Sequence, residues 1–549
     1  MGIRTSKKTM VAFLATMAVT AGTLAGCGGS GSASKASGGG DNVITVFDSE
    51  PQNPLIPGNT NETGGSRPGS QIFAELVSFD SNGKAQNEVA QSITPNSDST
   101  QYSIKLKPGW KFSDGTPVTA QSFTRAWSYV ANVKNVQKCA SFFSTIKGYD
   151  DLQQKGLNGT EQLSGLKVLD DTTFTVDMSK PDSIFPVKVG YMAFAPLPDS
   201  FYKDPKAFGD KPVGNGPYKL AEWSHGQEIR LVRNGYYHGN VKPRNQGITF
   251  RIYTKVDAAY ADVQGGNLDV MDTVPPADTK SFMSDPTVVA YNKPGSIIQM
   301  FSIPSNLEHF KSGTEEGTLR RQAVSMSIDR KSIVTKVLNG TGTQPVDFTS
   351  PKTPGFSENL KGKENLVYNP SKAKELWEKA DAISKDVDPF AISYNADGGN
   401  KPIYDAIVNS IKNTLGIKVS ADPVPTFQEF RNLVDKRQIK GGFRSGWTPD
   451  YPSAEDYLFQ CYDSEAGHGN GANDGDYSNS RFDELMTQAY AAPSTDAANV
   501  IYGQAQEILL NDLPAIPLYY DNAHGVAMKG VKGFQMDWQN QSVYSELHK

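Results

Sequence analysis

The side chains best able to ligate a metal or attack a substrate are few in this chain and stand apart. Six histidines, His225, His238, His309, His468, His524 and His548, occur singly among loop-type or solvated residues. A metal site needs its ligands clustered, so they read as surface histidines. No H-E-x-x-H, G-x-x-x-x-G-K-[ST], G-x-S-x-G or C-x-x-C occurs, which removes the usual metalloprotease, P-loop, serine-hydrolase and zinc signatures. The run Asn470-Gly471-Ala472-Asn473-Asp474-Gly475-Asp476 has the oxygens of a calcium loop. It lacks the glutamate that closes an EF-hand and reads as a polar turn. With 59 acidic residues, chance carboxylate pairs are inevitable, but no nucleophile motif accompanies any. The chemistry expected is binding, with no metal or cofactor, and not catalysis.

One cysteine carries chemistry of another kind. A basic start (Arg4, Lys7, Lys8), an apolar run from Met10 to about Thr20 and a small-residue exit have the layout of a secretory signal peptide over residues 1–26. The apolar run is shorter than the roughly 20 residues that span a bilayer. Leu24-Ala25-Gly26-Cys27 resembles a lipobox, in which the Cys27 thiol receives a lipid and becomes the new N-terminus. Acyl chains contribute about 0.8 kcal/mol per buried CH₂, so Cys27 would anchor the protein to the outer face of the cell membrane. Residues 27–41, with nothing apolar larger than alanine, read as a flexible tether. Cys139 and Cys461 are too far apart in sequence for spacing to decide between a disulfide and two free thiols.

Removing the three leader charges from 54 basic residues leaves 51 against 59 acids. A mild acidic excess argues against a nucleic-acid partner. About 500 residues exceed what one core supports, so two or three domains are expected. Alternation at 43–47, 102–106 and 173–178 predicts strands. Apolar spacing predicts helices over 319–339, 371–380 and 401–415, the last closing at Gly416, with a strand at 417–419. Mixed helices and short strands indicate α/β domains.

The segment from Tyr102 to Ala120 reads as a strand, the Pro108-Gly109 turn, an aromatic strand (Trp110, Phe112) and the Asp114-Gly115 turn, with Thr119 as N-cap of the next helix. It closely resembles the signature of bacterial solute-binding proteins of the peptide/nickel type. Four further segments agree with that family in order and spacing. They are Pro212-Val213-Gly214-Asn215-Gly216-Pro217-Tyr218 with Arg230–Asn234, Gly265–Val270, Arg320–Ala323 with Ser327–Arg330, and Gly446-Trp447-Thr448-Pro449-Asp450-Tyr451-Pro452. The resemblance implies an α/β, two-lobed periplasmic-binding-protein type II fold with a hinge and an extra domain. Mapped by these anchors, lobe I takes 42–73, 198–297 and 521–549, the extra domain 74–197, and lobe II 298–520.

The function so implied is that of the extracytoplasmic substrate-binding lipoprotein of an ABC importer, a monomer that captures short peptides and delivers them to a membrane permease. A receptor indifferent to side chains must grip an ammonium, a carboxylate and an amide backbone. By the resemblance, Asp450 pairs with the ligand ammonium, Arg444 meets its carboxylate and Trp447 stacks on its backbone. Tyr451, Phe427 and Asn395 line the pocket, and the Asn61-Glu62-Thr63 loop, through Asn61 and Thr63, offers backbone hydrogen bonds as an added strand would receive. Asn400 stands where some relatives carry a histidine, which leaves ligand length open. The same fold also serves oligosaccharides, nickel chelates or haem, and an exported hydrolase is the alternative from another class.

Overall fold

The structure, a computed structural model, describes residues 42–385, 389–469 and 471–549. The leader, the lipobox with Cys27 and the tether lie outside these residues. The β-branched run Val43–Asp48 forms a strand whose inward side chains, Ile44 and Val46, are buried. It pairs in parallel with Gly247–Ile252 and with Val270–Met271. Glu228–Arg233 and Tyr218–Ser224 continue that edge in antiparallel fashion. At the far edge, Phe390–Asn395 lies parallel to both Val419–Val424 and Gly442–Trp447.

Two long strands, Val288–Ser302 and Ala515–Met528, join these groups into one sheet of 11 strands. They run antiparallel from the Val288 and Met528 pair to the Ser302 and Ala515 pair, and their register breaks between Pro294 and Ile298. On one side of the break Ala515–Met528 pairs with Val270–Met271, and on the other Val288–Ser302 pairs with Gly442–Trp447. Each long strand therefore belongs to both halves of the sheet.

A separate antiparallel sheet has the order Ala90–Pro95, Gln101–Leu106, Thr173–Asp177, Leu166–Asp170. Tyr102, Ile104 and Leu106 alternate inward with exposed neighbours, as a half-buried strand requires. Gly109 and Gly115 take positive φ in the two turns, and the helix Ala120–Ala131 starts after Thr119. Trp127 of that helix is fully buried, its indole N–H on the Phe194 carbonyl at 2.8 Å. Residues of this region share one apolar core with the strands around Ile44 and Phe250. A second core gathers residues of 298–520, and Ile184 and Val187 reach across into it.

Three sequence expectations change. The aromatic strand expected at Trp110 and Phe112 reduces to a single bridge between Lys111 and Pro117, because the two glycine turns leave no room for a run of ladder pairs. The helix expected over 319–339 is Glu315–Met326, and then a short turn Arg330–Ser332 leading to a wide turn Ile333–Val337. The break comes at Ser327-Ile328-Asp329, where Asp329 accepts from the Ser332 N–H at 2.9 Å and caps a new start. The strand expected at 417–419 begins only at Val419. Gly416 closes Lys401–Leu415 with φ 71°, and the chain needs two further residues to reach the sheet.

Candidate ligand-binding site

In parallel α/β sheets ligands collect beyond the carboxyl ends of the strands. Here Asn395 ends one strand, Trp447 ends its parallel neighbour, and Phe427 opens the helix Phe427–Asp435 just past a third. Thr426 caps that helix by accepting from the Glu429 N–H at 3.1 Å. A cleft of about 250 Å³ lies there, with Phe427, Arg431, Arg444, Trp447 and Cys461 among its walls. Phe427 is 49% exposed, a large apolar ring left open to the cleft. The Arg444 guanidinium has no ion pair among the described residues and donates to Gln299 Oε1 at 3.5 Å. Gln299 itself donates to Asp521 at 2.8 Å.

The turn after Trp447 is organised by a residue that sequence reasoning missed. Asp456, on the helix Ala454–Tyr462, is 1% exposed. Its Oδ2 accepts from the Trp447 indole N–H at 2.8 Å and from the Asp450 backbone N–H at 2.9 Å. Its Oδ1 has no partner. Burial, with the neighbouring Asp450, raises the Asp456 carboxyl well above the usual range. Burial also pushes Asp450 up to about 6. The only signal for Asp456 in the sequence was two adjacent acids, Glu455 and Asp456, on a short apolar helix that must bury them.

Those two acids meet different fates. Glu455 accepts from the hydroxyls of Tyr451 and Tyr490 and lies 3.6 Å from Lys188 Nζ, which also holds Asp182 at 3.0 Å. Asp456 has no ion pair among the described residues. The Asp450 carboxyl receives no hydrogen bond or ion pair from any described residue, and it faces a cavity of about 70 Å³. The other walls are distant in sequence: Ser66 and Ser70 from Thr63–Ile72, Phe79, Tyr191 and Trp538.

The remaining expected residues are spread around this centre. Tyr451 is turned into the core, its hydroxyl on Glu455, and lies off the cleft wall. Asn395 is buried. It donates to Asp397 at 2.7 Å and accepts from Asn400 at 3.1 Å, while Asp397 receives the Phe427 N–H at 2.9 Å. It thereby braces the Phe427 turn from behind, and Asn400 is turned toward it. Tyr394 stacks on Tyr404 in the core at 4.9 Å. Asn61 and Thr63 are exposed at the start of Thr63–Ile72. Glu62 between them caps the helix and takes the Gln52 N–H at 3.1 Å. On that helix Ser66 and Ser70, and not Thr63, line the Asp450 cavity. Cys139 and Cys461 are free thiols.

The sequence matches the model of the family described as bacterial extracellular solute-binding proteins, family 5 Middle, over residues 84–469. It is 26% identical over 538 residues to the oligopeptide-binding protein OppA of Bacillus subtilis (strain 168), covering 94% of this chain and 95% of that one. It is 26% identical over 487 residues to the periplasmic murein peptide-binding protein MppA of Escherichia coli (strain K12), covering 86% and 87%. The solved unliganded open form of the MppA periplasmic murein tripeptide binding protein superposes with TM-score 0.80 at 22% identity, over 92% of this chain and 97% of that one. OppA of Haemophilus influenzae in complex with RPPGFSPFR gives TM-score 0.67 at 22% identity, over 93% and 99%.

Proposed function

Because the chain belongs to the bacterial extracellular solute-binding proteins of family 5, a family of peptide-binding subunits of ABC transporters with the type II periplasmic-binding fold, we propose that it captures short peptides between two lobes. It is a binding protein and not an enzyme. The ligand ammonium sits on Asp450, its backbone lies along Trp447 and Phe427, and its carboxylate points to Arg444. Tyr451 and Asn395 hold the site from behind, and Asn61 and Thr63 approach the ligand from the other lobe. The lobes are residues 42–73, 198–297 and 521–549, and residues 298–520, with 74–197 as an extra domain on the first. The register break near Pro294 is the hinge. The loaded protein delivers its peptide to a membrane permease while Cys27 keeps it at the membrane.

The observation that carries this reading is the Asp450 carboxyl, half-buried, without a donor among the described residues and at a junction of distant segments. An uncompensated acid at such a place is costly unless a cation completes it. Arg444, with no ion pair among the described residues and lining the cleft beside Trp447, supplies the opposite charge for the other end of a zwitterion. The test is to incubate the purified protein with a peptide mixture and analyse the input and the retained fraction by mass spectrometry. Intact short peptides on the protein support capture. Shortened products, or retention of N-acetylated peptides as strong as that of free ones, would refute it.

A further inference from the structure

The cavity that receives Asp450 contains a second acid that peptide capture by the ammonium alone does not use. Glu75 lies between the helix Thr63–Ile72 and the strand Val77–Phe79, and it lines the same cavity as Asp450. Its Oε1 is closed off from solvent and has no hydrogen-bond partner. Its acidic neighbour Glu88 is satisfied by the Tyr237 and Ser78 hydroxyls and the Asn240 N–H. Several other buried acids are matched by cations, and Asp347 is held by the Tyr520 and Thr349 hydroxyls. Asp48 and Asp272 share Arg67, Asp182 and Glu455 share Lys188, and Asp269 holds Lys549. No lysine or arginine lines this cavity.

The walls suit a cation as well as the floor does. Phe79, Tyr191 and Trp538 present aromatic rings, with Phe79 and Trp538 set edge to face at 5.5 Å, and aromatic faces attract desolvated cations. Ser66, Ser70, Gln539 and Gln541 add side-chain oxygens. An ammonium on Asp450 completes one carboxyl and leaves Glu75 Oε1 without a partner.

We propose that this cavity selects peptides whose first residue carries a basic side chain, with Glu75 receiving the side-chain cation while Asp450 receives the α-ammonium. The assignment rests on the peptide reading above and narrows it to a ligand class. Burial pushes the Glu75 carboxyl up to about 8, so at neutral pH the empty site holds a proton there. The arriving cation displaces that proton, and a neutral first side chain leaves it in place. A basic residue at the second position gains nothing, because its side chain leaves the backbone on another course.

Calorimetric titration tests this with three tripeptides of equal length: Lys-Ala-Ala, norleucine-Ala-Ala and Ala-Lys-Ala. The wild type is expected to bind the lysine-first peptide at least about tenfold more tightly than the other two, in keeping with a partly buried charge pair. Glu75→Gln, whose folding is checked by its melting curve, should bring that ratio to about one. Asp450→Asn should weaken all three while keeping the ratio. Equal binding of the three peptides by the wild type, or a lysine-first preference that survives Glu75→Gln, overturns the Glu75 assignment and leaves peptide capture standing. Failure of every peptide to bind overturns both.

Discussion

The indole N–H of Trp447 donates to Asp456 Oδ2 at 2.8 Å, across a turn of nine residues. The same oxygen holds the backbone N–H of Asp450, so one buried carboxyl sets both the aromatic wall of the cleft and the direction of the acid beyond it. Toward the proposed ligand site, Asp456 acts through these two groups. It is a positioning residue.

Asp456→Ala removes the acceptor of two donors and should cost about 2 to 4 kcal/mol of stability, the typical penalty for stranding buried hydrogen-bonding groups. Peptide affinity should fall with it. Asp456→Asn keeps an acceptor oxygen and removes a buried acid beside Asp450, so its stability should equal or exceed that of the wild type. Urea denaturation of the three proteins gives the order. An alanine variant as stable as the wild type would show that water replaces the carboxyl and that the turn holds itself.

Lys188 carries two acids at once, Asp182 at 3.0 Å on its own segment and Glu455 at 3.6 Å on the helix Ala454–Tyr462. Lys188→Met should destabilise by about 3 to 5 kcal/mol, because it leaves buried carboxylates uncompensated. Adding Glu455→Gln should recover part of the loss, since one stranded charge is then removed. Strictly additive effects in urea would mean that Lys188 and Glu455 do not interact.

Much of this was readable from residue types. The strands at 43–48 and 101–106, the cap at Thr119 and the helix closed by Gly416 follow from local pattern, because each burial face is set by neighbours in sequence. The motif Pro212–Tyr218 marks architecture and not chemistry. Asn215 exchanges hydrogen bonds with Ala74 at 3.0 and 2.8 Å, and Gly214 and Gly216 pack so close to Ile72 that a Cβ would clash. These contacts pin the segment that carries Glu75. Asp456 and Glu75 stayed invisible because their roles depend on which distant groups fail to reach them. Pattern shows an acid on a helix or beside a strand, but only the fold shows that no described cation pairs with it. The break at Ser327 was missed for a related reason, as apolar spacing continues across a cap.

Cys27→Ser should release the protein from membranes without altering peptide affinity, since in sequence the proposed lipidation site stands 15 residues before Asn42. Fractionation of cells, with high-salt washing of the membranes, reads the outcome. A variant that remains in the washed membrane fraction would remove Cys27 as the anchor.

Asp450 makes the sharpest case because its state sets both binding and stability. Burial raises its carboxyl from 3.8 to about 6, and only the ionised form attracts an ammonium fully. Peptide affinity should therefore strengthen as pH rises to about 6 and level off above it. Below 6 the ionised fraction falls by about tenfold per pH unit, and affinity falls with it. The sign for the empty protein is opposite. Between about pH 4 and 6 the unfolded chain has released this proton while the folded chain still holds it, so stability conferred by the protonated form is lost as pH rises through that window. Asp450→Asn should abolish both dependences, lower peptide affinity by roughly thirtyfold to several thousandfold, and leave the empty protein at least as stable at pH 7. N-acetylating the peptide should mimic the substitution, and the two together should cost less than their sum because both delete one contact. Titrations of both proteins with both peptides at pH 5, 6 and 7 decide the matter. A wild-type affinity flat across that range, or additive losses at pH 7, would mean that the carboxyl shapes its turn and receives no ammonium.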